Sequence, residues 1–162
     1  MKNTVEEIFR HEAAAIGSIP LNDSYEKAVA LIYDRVHLRK GKVVTSGMGK
    51  AGQIAANIAS TFSSTGTPAI FLHPSEAQHG DLGILQENDV IVAISNSGKT
   101  REITELLQLK EALHPGVPVI VITSDPGSPL ASGADCVIET GAPSEVCPLG
   151  LTPTTSTTVM TV

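Results

Sequence analysis

The chain has 162 residues and a mass of 16.9 kDa, which suits a single domain over residues 1–162. Apolar residues make up 41% of it, enough to build a core without disulfide bonds, whereas charged residues make up only 17% and the net charge is −6. With an acidic balance, few aromatic residues and no Trp, the sequence offers neither a basic surface for a nucleic-acid backbone nor a stacking platform for bases. We therefore expect no nucleic-acid partner.

Three features of the sequence indicate the cellular compartment. Its two cysteines, Cys136 and Cys147, are too few for a disulfide framework. No stretch approaches the roughly 18–20 consecutive apolar residues of a membrane span, and the charged residues 1–10 do not read as a signal peptide. These features favour a soluble, cytoplasmic protein with no membrane partner.

Residues 1–40 predict a helical prefix of two helices. Residues 4–7, TVEE, have the pattern of a capping box at the start of the first helix. Ser24 is a candidate N-cap of the second helix. Both helices carry an apolar stripe at helical spacing that needs a partner. The stripe of the first helix consists of Val5, Ile8, Phe9 and Ile16.

Residues 41–162 predict a core of alternating strands and helices. The runs IVAI (91–94) and VIVI (119–122) are typical of strands buried on both faces of a parallel sheet. The fold class is therefore α/β, a doubly wound five-stranded parallel sheet flanked by helices, flavodoxin-like, with strand order 2-1-3-4-5. The predicted strands are residues 42–46, 69–72, 89–95, 117–123 and 136–139.

Three helices of this core have clear signals. The first follows the loop 47–52 and ends near residue 65, where Gly66 is a stop signal, and the second covers 100–113. Ser128 and Pro129 predict the N-cap and first residue of a short helix before the last strand. After it, a proline- and hydroxyl-rich stretch leads to Thr154 or Thr155, a candidate N-cap of a helix that we expect to continue past Val162, so that the core is cut short.

A glycine-rich loop, GMGKAG (47–52), joins the first strand to its helix. It fits the GxGxxG pattern of dinucleotide sites, but the place of the expected acidic residue holds His73 and Pro74. Taken alone, the glycines are better explained by a tight strand-to-helix turn. The GKT sequence at 98–100 is not a nucleotide-triphosphate loop either, because Ala93 occupies the position of its first glycine.

A second loop, SNSGKT (95–100), follows the third strand. Its hydroxyls, Ser95, Ser97 and Thr100, stand at the start of a helix, where free backbone N–H groups and the helix dipole favour an anion. The group suits a phosphate monoester, although Ser97 or Thr100 alone could simply cap the helix. In the predicted strand order, this loop and the glycine loop face one crevice at the point where the order reverses.

Four segments of the chain resemble the sugar isomerase (SIS) domain family, and within it the arabinose-5-phosphate isomerases of the 3-deoxy-D-manno-octulosonate (Kdo) pathway. They cover most of residues 41–158 and read GKVVTSGMGKAG (41–52), ASTFSSTGTPAIFLHPSEAQHGDLG (59–83), DVIVAISNSGKTREI (89–103) and EVCPLGLTPTTSTT (145–158). The resemblance implies that Ser95, Ser97 and Thr100 bind the substrate phosphate. It also implies that Asn96 and Gly49 belong to the substrate-binding site.

The resemblance further implies a catalytic set of four residues. Glu102, two residues after Thr100, is a candidate base, although acidic residues are also favoured in a first helical turn by the dipole. Lys50 either stabilises an oxyanion or neutralises phosphate, and the alternative is a solvated loop lysine. His79 is a candidate proton shuttle or a structural histidine. Glu145 lies in a loop expected to fold over the crevice.

The chain departs from the family pattern in two ways. It has Lys99 where relatives usually carry an acidic residue, and it ends before a His-Pro-Gly-Gly motif that relatives carry further on. A pair of regulatory CBS modules, found in many relatives, is not expected in 162 residues.

The function implied by the resemblance is the interconversion of D-ribulose 5-phosphate and D-arabinose 5-phosphate through an enediolate, for lipopolysaccharide or capsule synthesis. Such chemistry needs acid, base and a charge stabiliser, and no cofactor. The metal-capable residues His73, His79 and Cys147 lack the spacing of a zinc site, so no metal is expected. The apolar stripes of the first two helices, which need a partner, and the shallow crevice predict a homo-oligomer, and the resemblance implies that it is a tetramer. The alternative is a non-catalytic, sugar-phosphate-binding regulatory module.

Overall fold

The computed structural model describes residues 2–162 and contains one five-stranded sheet. All neighbouring strands are parallel, and their order is β2-β1-β3-β4-β5. The predicted fold class and strand order are therefore confirmed. The strands are β1 (Val43–Gly47), β2 (Ala69–Phe71), β3 (Val90–Ile94), β4 (Val119–Thr123) and β5 (Cys136–Glu139).

Seven α-helices surround the sheet in the described residues, and none of them is long and apolar enough to cross a membrane. The helices are α1 (Lys2–Gly17), α2 (Ser24–Ile32), α3 (Gly49–Ser64), α4 (Pro74–Ala77), α5 (Arg101–Leu113), α6 (Pro129–Ser132) and α7 (Thr155–Thr161). A π-helical segment, Tyr33–Leu38, continues α2, and a 3₁₀ turn, Asp81–Ile84, follows α4. The sequence did not predict α4 or this turn, because both are too short to show a periodic pattern.

Alternate residues of the central strands pack into two core layers, one on each face of the sheet, since successive side chains of a strand point to opposite faces. On one face, Ile91 packs with Ile103 of α5. On the other, Val92 packs with Ala28 of α2, and Ile94 continues this layer against α3 and α7. Both faces of β1 and β3 are thus covered, which explains their unbroken apolar sequences.

Two predicted helix caps are wrong, whereas two others are confirmed. α1 already begins at Lys2, so residues 4–7 lie inside the helix rather than at its start. Ser24 is the first residue of α2, after the N-cap Asp23, and its backbone N–H donates to the Asn22 side chain at 2.9 Å. In contrast, Ser128 caps α6 and Thr154 precedes α7 as predicted.

The apolar stripe of α1 lies on the surface of the chain. Phe9 is 68% exposed and Val5 is 45% exposed, and Ile8 and Ile16 are also exposed. The predicted stripe is therefore present, but no described part of the same chain covers it.

A buried ion pair joins β1 to β3 at the edge opposite the two loops. The Asp89 carboxylate is fully buried and accepts hydrogen bonds from Lys42 Nζ at 2.6 Å and from the Lys42 and Gln86 backbone N–H groups. Gly41 is required here, because a Cβ atom would lie 2.0 Å from the Asn88 carbonyl oxygen. This contact aligns the two strands that carry the loops.

We expect Asp89→Ala to lower the free energy of unfolding by about 3 kcal/mol, since the change leaves an ammonium group and two backbone N–H groups without their buried acceptor. The matched control is Asp34→Ala, which removes a solvent-exposed pair with Arg39 and should cost less than about 1 kcal/mol. Urea unfolding measures both changes. Equal losses in the two variants would contradict the prediction.

Candidate active site

The glycine loop and the serine loop border one cavity of about 350 Å³ at the carboxyl ends of β1 and β3. The third wall comes from residues 145–160, at the far end of the sequence. This is the crevice predicted from the reversal of strand order. The cavity is lined by Met48, Lys50, Ala51, Ser95, Asn96, Ser97, Thr100, Glu145, Gly150, Leu151, Thr152, Pro153, Ser156, Thr157 and Met160.

In the serine loop, two of the three hydroxyls are already paired. Ser95 Oγ lies 2.7 Å from Thr100 Oγ1, and Ser95 is buried. Thr100 stands at the N-cap position of α5, but its side chain makes no capping hydrogen bond. The Thr100 hydroxyl therefore does not act as a helix cap. Within the Ser95–Thr100 pair one hydroxyl donates to the other, and the accepting hydroxyl keeps its own proton for a ligand in the cavity.

The backbone of the serine loop is held rigidly. The Asn96 carbonyl accepts hydrogen bonds from the hydroxyls of Thr123 and Ser124 at the end of β4. Gly98 has a φ of +62°, and a Cβ atom there would lie 1.9 Å from Ser128 Oγ. Only glycine allows the loop to pass this close to Ser128.

The glycines of the first loop serve packing as well as the site. Cβ atoms on Gly47 or Gly52 would lie 2.7 Å from backbone atoms across the turn, which supports the interpretation of a tight strand-to-helix turn. Lys50 is exposed in the first turn of α3 and lines the cavity. Gly49, with a φ of +57°, lines a neighbouring hollow that also includes His73.

Glu145 lines the cavity and also binds the first turn of α7. Its Oε2 accepts hydrogen bonds from the Thr154 backbone N–H and hydroxyl, both at 2.6 Å, and from the Ser156 N–H at 3.4 Å. Burial by itself would raise the pKa of Glu145, but the hydrogen bonds from Ser156 and Thr154 outweigh it and lower the pKa below its usual range. The carboxylate is therefore ionised, and it acts as the cap of α7.

Helix α7 supplies cavity residues that the sequence analysis did not assign. Ser156, Thr157 and Met160 line the cavity, and Met160 is buried against Ile54 of α3. The run of hydroxyls at 154–158 is the signal for them in the sequence, but its pattern predicts only a helix start.

The other two predicted catalytic residues are not part of this lining. Glu102 lies in the first turn of α5, and His79 is exposed after α4. Lys99 pairs with Asp125 at 3.2 Å. Across residues 2–162 no three His, Cys, Asp or Glu side chains are grouped to hold a metal ion.

Cys147 lies beside the cavity wall, in the segment between β5 and α7. Hydrogen bonds from the backbone of Thr152, Leu151 and Leu149 lower the pKa of its thiol to about 7. Burial instead raises the pKa of the Cys136 thiol. The two cysteines thus differ in both exposure and acidity.

We expect iodoacetamide to alkylate Cys147 with a rate that is half-maximal near pH 7, because the thiolate is the reactive form. Cys136 in the same folded chain is the internal control and should stay unmodified, since it is buried. Peptide mass spectrometry across a pH series measures both. A Cys147 rate that rises only near the ordinary thiol pKa of about 8.5 would contradict the prediction.

Comparison with known proteins points to one family. The SIS domain family matches residues 38–162. Arabinose 5-phosphate isomerase KdsD of Shigella flexneri is 55% identical over 119 residues, which are 74% of this chain and 36% of that protein. The chain spans less than half the length of the curated relatives it matches.

Two crystal structures are similar over nearly the whole chain. One is a candidate phosphosugar isomerase involved in capsule formation from Bacteroides fragilis. It is 65% identical with a TM-score of 0.98, and the match covers 99% of this chain and 84% of that one. An Escherichia coli CFT073 protein in complex with arabinose 5-phosphate is 37% identical with a TM-score of 0.85, covering 98% and 82%. The chain therefore belongs to the SIS domain family.

Proposed function

We propose that this chain is an aldose–ketose isomerase that interconverts D-ribulose 5-phosphate and D-arabinose 5-phosphate in the cytoplasm and feeds Kdo synthesis for lipopolysaccharide or capsule. The observation that carries the proposal is the single cavity bordered by the serine loop, Lys50 and Glu145. The names of its relatives support it, since they include arabinose 5-phosphate isomerases and a structure with arabinose 5-phosphate bound.

The serine loop binds the phosphate. Ser95 and Thr100 share one hydrogen bond, and an incoming phosphate oxygen would accept from one or both hydroxyls. Ser97 and Asn96 are exposed at the same rim, and α5, with 13 residues, directs its N-terminal dipole there. Lys50 lies across the cavity and supplies positive charge to it, since Lys99 of the serine loop pairs with Asp125 and does not line the cavity.

The reaction is a proton transfer between neighbouring carbons. A base removes the C2 proton of the aldose, the electron pair forms the C1–C2 double bond, and the C1 oxygen gains the negative charge of the enediolate. The C1 oxygen takes up a proton and the C2 hydroxyl gives up its own to become the carbonyl. Return of the abstracted proton to C1 then completes the ketose. We assign the base to Glu102, stabilisation of the enediolate to Lys50, and proton transfer at the sugar oxygens to His79.

The test of this function is incubation of the full-length protein with ribulose 5-phosphate, with arabinose 5-phosphate as the expected product. Ribulose without phosphate is the matched control and should be a very poor substrate, because the serine loop has nothing to bind. Comparable turnover of both sugars would contradict the phosphate assignment. Saturable binding of the phosphosugar without turnover would instead favour the regulatory module.

We expect Glu102→Gln to lower kcat by roughly 10²–10⁴-fold while leaving KM near its normal value, because the amide keeps the shape but cannot accept the C2 proton. Glu111→Gln, at the exposed end of the same helix, is the matched control and should have no effect. Steady-state kinetics measures both variants. Near-normal turnover in the Glu102 variant would move the base role to His79 or Glu145.

We propose a homo-oligomer, most simply a tetramer, in which the exposed stripe of α1 is buried between copies. Enediolate chemistry needs water excluded, and a neighbouring copy would cover the open cavity. Light scattering of the full-length protein should give the tetramer mass, and Phe9→Asp should reduce it. A monomer at micromolar concentration would rule the assembly out.

A further inference from the structure

Helix α1 holds the third wall of the cavity through two neighbouring side chains. His11 Nε2 lies 2.7 Å from the Ser144 carbonyl oxygen, next to Glu145. The Thr155 hydroxyl in α7 donates to Glu12 Oε1 at 2.7 Å. These contacts join positions 133 and 143 residues apart, so the start of the chain is tied to the segment that completes the cavity.

Helix α7 depends on such contacts for its order. It has only seven residues, and a helix of this length is not stable by itself. Glu145 caps its backbone on one side, and Glu12 holds the fully buried Thr155 on the other. Thr155 does not line the cavity, but the residues that follow it, Ser156 and Thr157, do.

The second carboxylate oxygen of Glu12 adds an independent observation. Glu12 Oε2 is buried and has no hydrogen-bond partner among the described residues. A buried polar atom without a partner costs folding free energy. This cost offsets the free energy gained from the hydrogen bond to Thr155, so the contact adds little to the stability of the fold. The geometry is better explained if the contact serves the placement of α7.

We propose that Glu12 is a positioning residue for the sugar-phosphate site, acting through Thr155 on the first turn of α7. The proposal rests on the proposed function. Without the contact, the first turn of α7 samples other positions, and a ligand must restore the order of Ser156 and Thr157 when it binds. Binding is then weakened, whereas the groups that move protons are unchanged.

The test uses full-length variants at both ends of the contact. Glu12→Ala removes the acceptor, and Thr155→Val removes the donor while keeping the shape of the buried side chain. Thr155→Ser keeps the hydroxyl and is the rescue variant. Glu7→Ala, on an exposed position of α1, is the matched control. Two measurements are made, steady-state kinetics with ribulose 5-phosphate and amide hydrogen exchange of α7.

We expect Glu12→Ala and Thr155→Val each to raise KM about tenfold with little change in kcat, the size of effect that one lost buried hydrogen bond can produce. Both should speed exchange at the Thr157 and Thr158 amides, which bond to the Thr154 carbonyl in the first turn. The double variant should be no worse than either single one, because both changes break the same contact. Thr155→Ser and Glu7→Ala should behave like the wild type.

Unchanged exchange and KM in both single variants would overturn the proposal, and so would effects that add in the double variant. A raised KM without faster exchange in α7 would also overturn it, because the contact would then act by another route. If the wild type shows no isomerase activity, the proposed function fails. Hydrogen exchange in α7 still decides the role of Glu12 in that case, since it needs no substrate.

Discussion

The reversal of strand order between β1 and β3 is the constraint on which the site depends. β2 lies on one side of β1, whereas β3, β4 and β5 follow on the other, and all strands are parallel. With right-handed crossovers, the helices after β1 and β3 must leave toward opposite faces of the sheet. α5 accordingly packs in one core layer and α3 in the other. The loops that lead into them separate, and the gap between them is the cavity.

The gap by itself has only two walls; the segment after β5 forms the third, and α1 holds that segment in place. The segment after β5 brings Glu145 and α7 over the gap, and Met160 anchors α7 against α3. α1 then holds this segment through Glu12 and His11. The helical prefix is thus more than a surface addition, because it supports the wall that faces the serine loop.

The sequence predicted the features that depend on local pattern. The buried runs located β3 and β4 to within two residues at each end, and Ser128 with Pro129 located α6. The serine loop and Lys50 were assigned to one crevice, and they line one cavity. These predictions succeeded because hydrophobic periodicity is set by residues close in sequence, and because alternating strands and helices leave only a few possible strand orders.

Features that depend on long-range contacts could not be predicted in the same way. The role of Glu145 as the cap of α7 follows from hydrogen bonds to Thr154 and Ser156, which no spacing rule indicates. The contact of Glu12 with Thr155 spans 143 residues. The caps predicted at residues 4–7 and at Ser24 are wrong for a related reason. The first residue of a helix depends on the path of the chain before the helix, which a capping pattern does not contain.

The state of Glu145 separates the roles of the two candidate carboxylates. A general base works best with a pKa near the working pH, and the hydrogen bonds from α7 move the pKa of Glu145 in the other direction. Taking a proton on Oε2 would also remove the acceptor that caps α7. Glu102 accepts no such hydrogen bonds from a helix start, which supports the proposal that Glu102 is the base. The pKa of Glu145 is lowered in the folded chain, so its carboxylate is ionised and accepts the α7 hydrogen bonds at neutral pH. The stability that these bonds contribute is lost only as the pH falls through that lowered pKa.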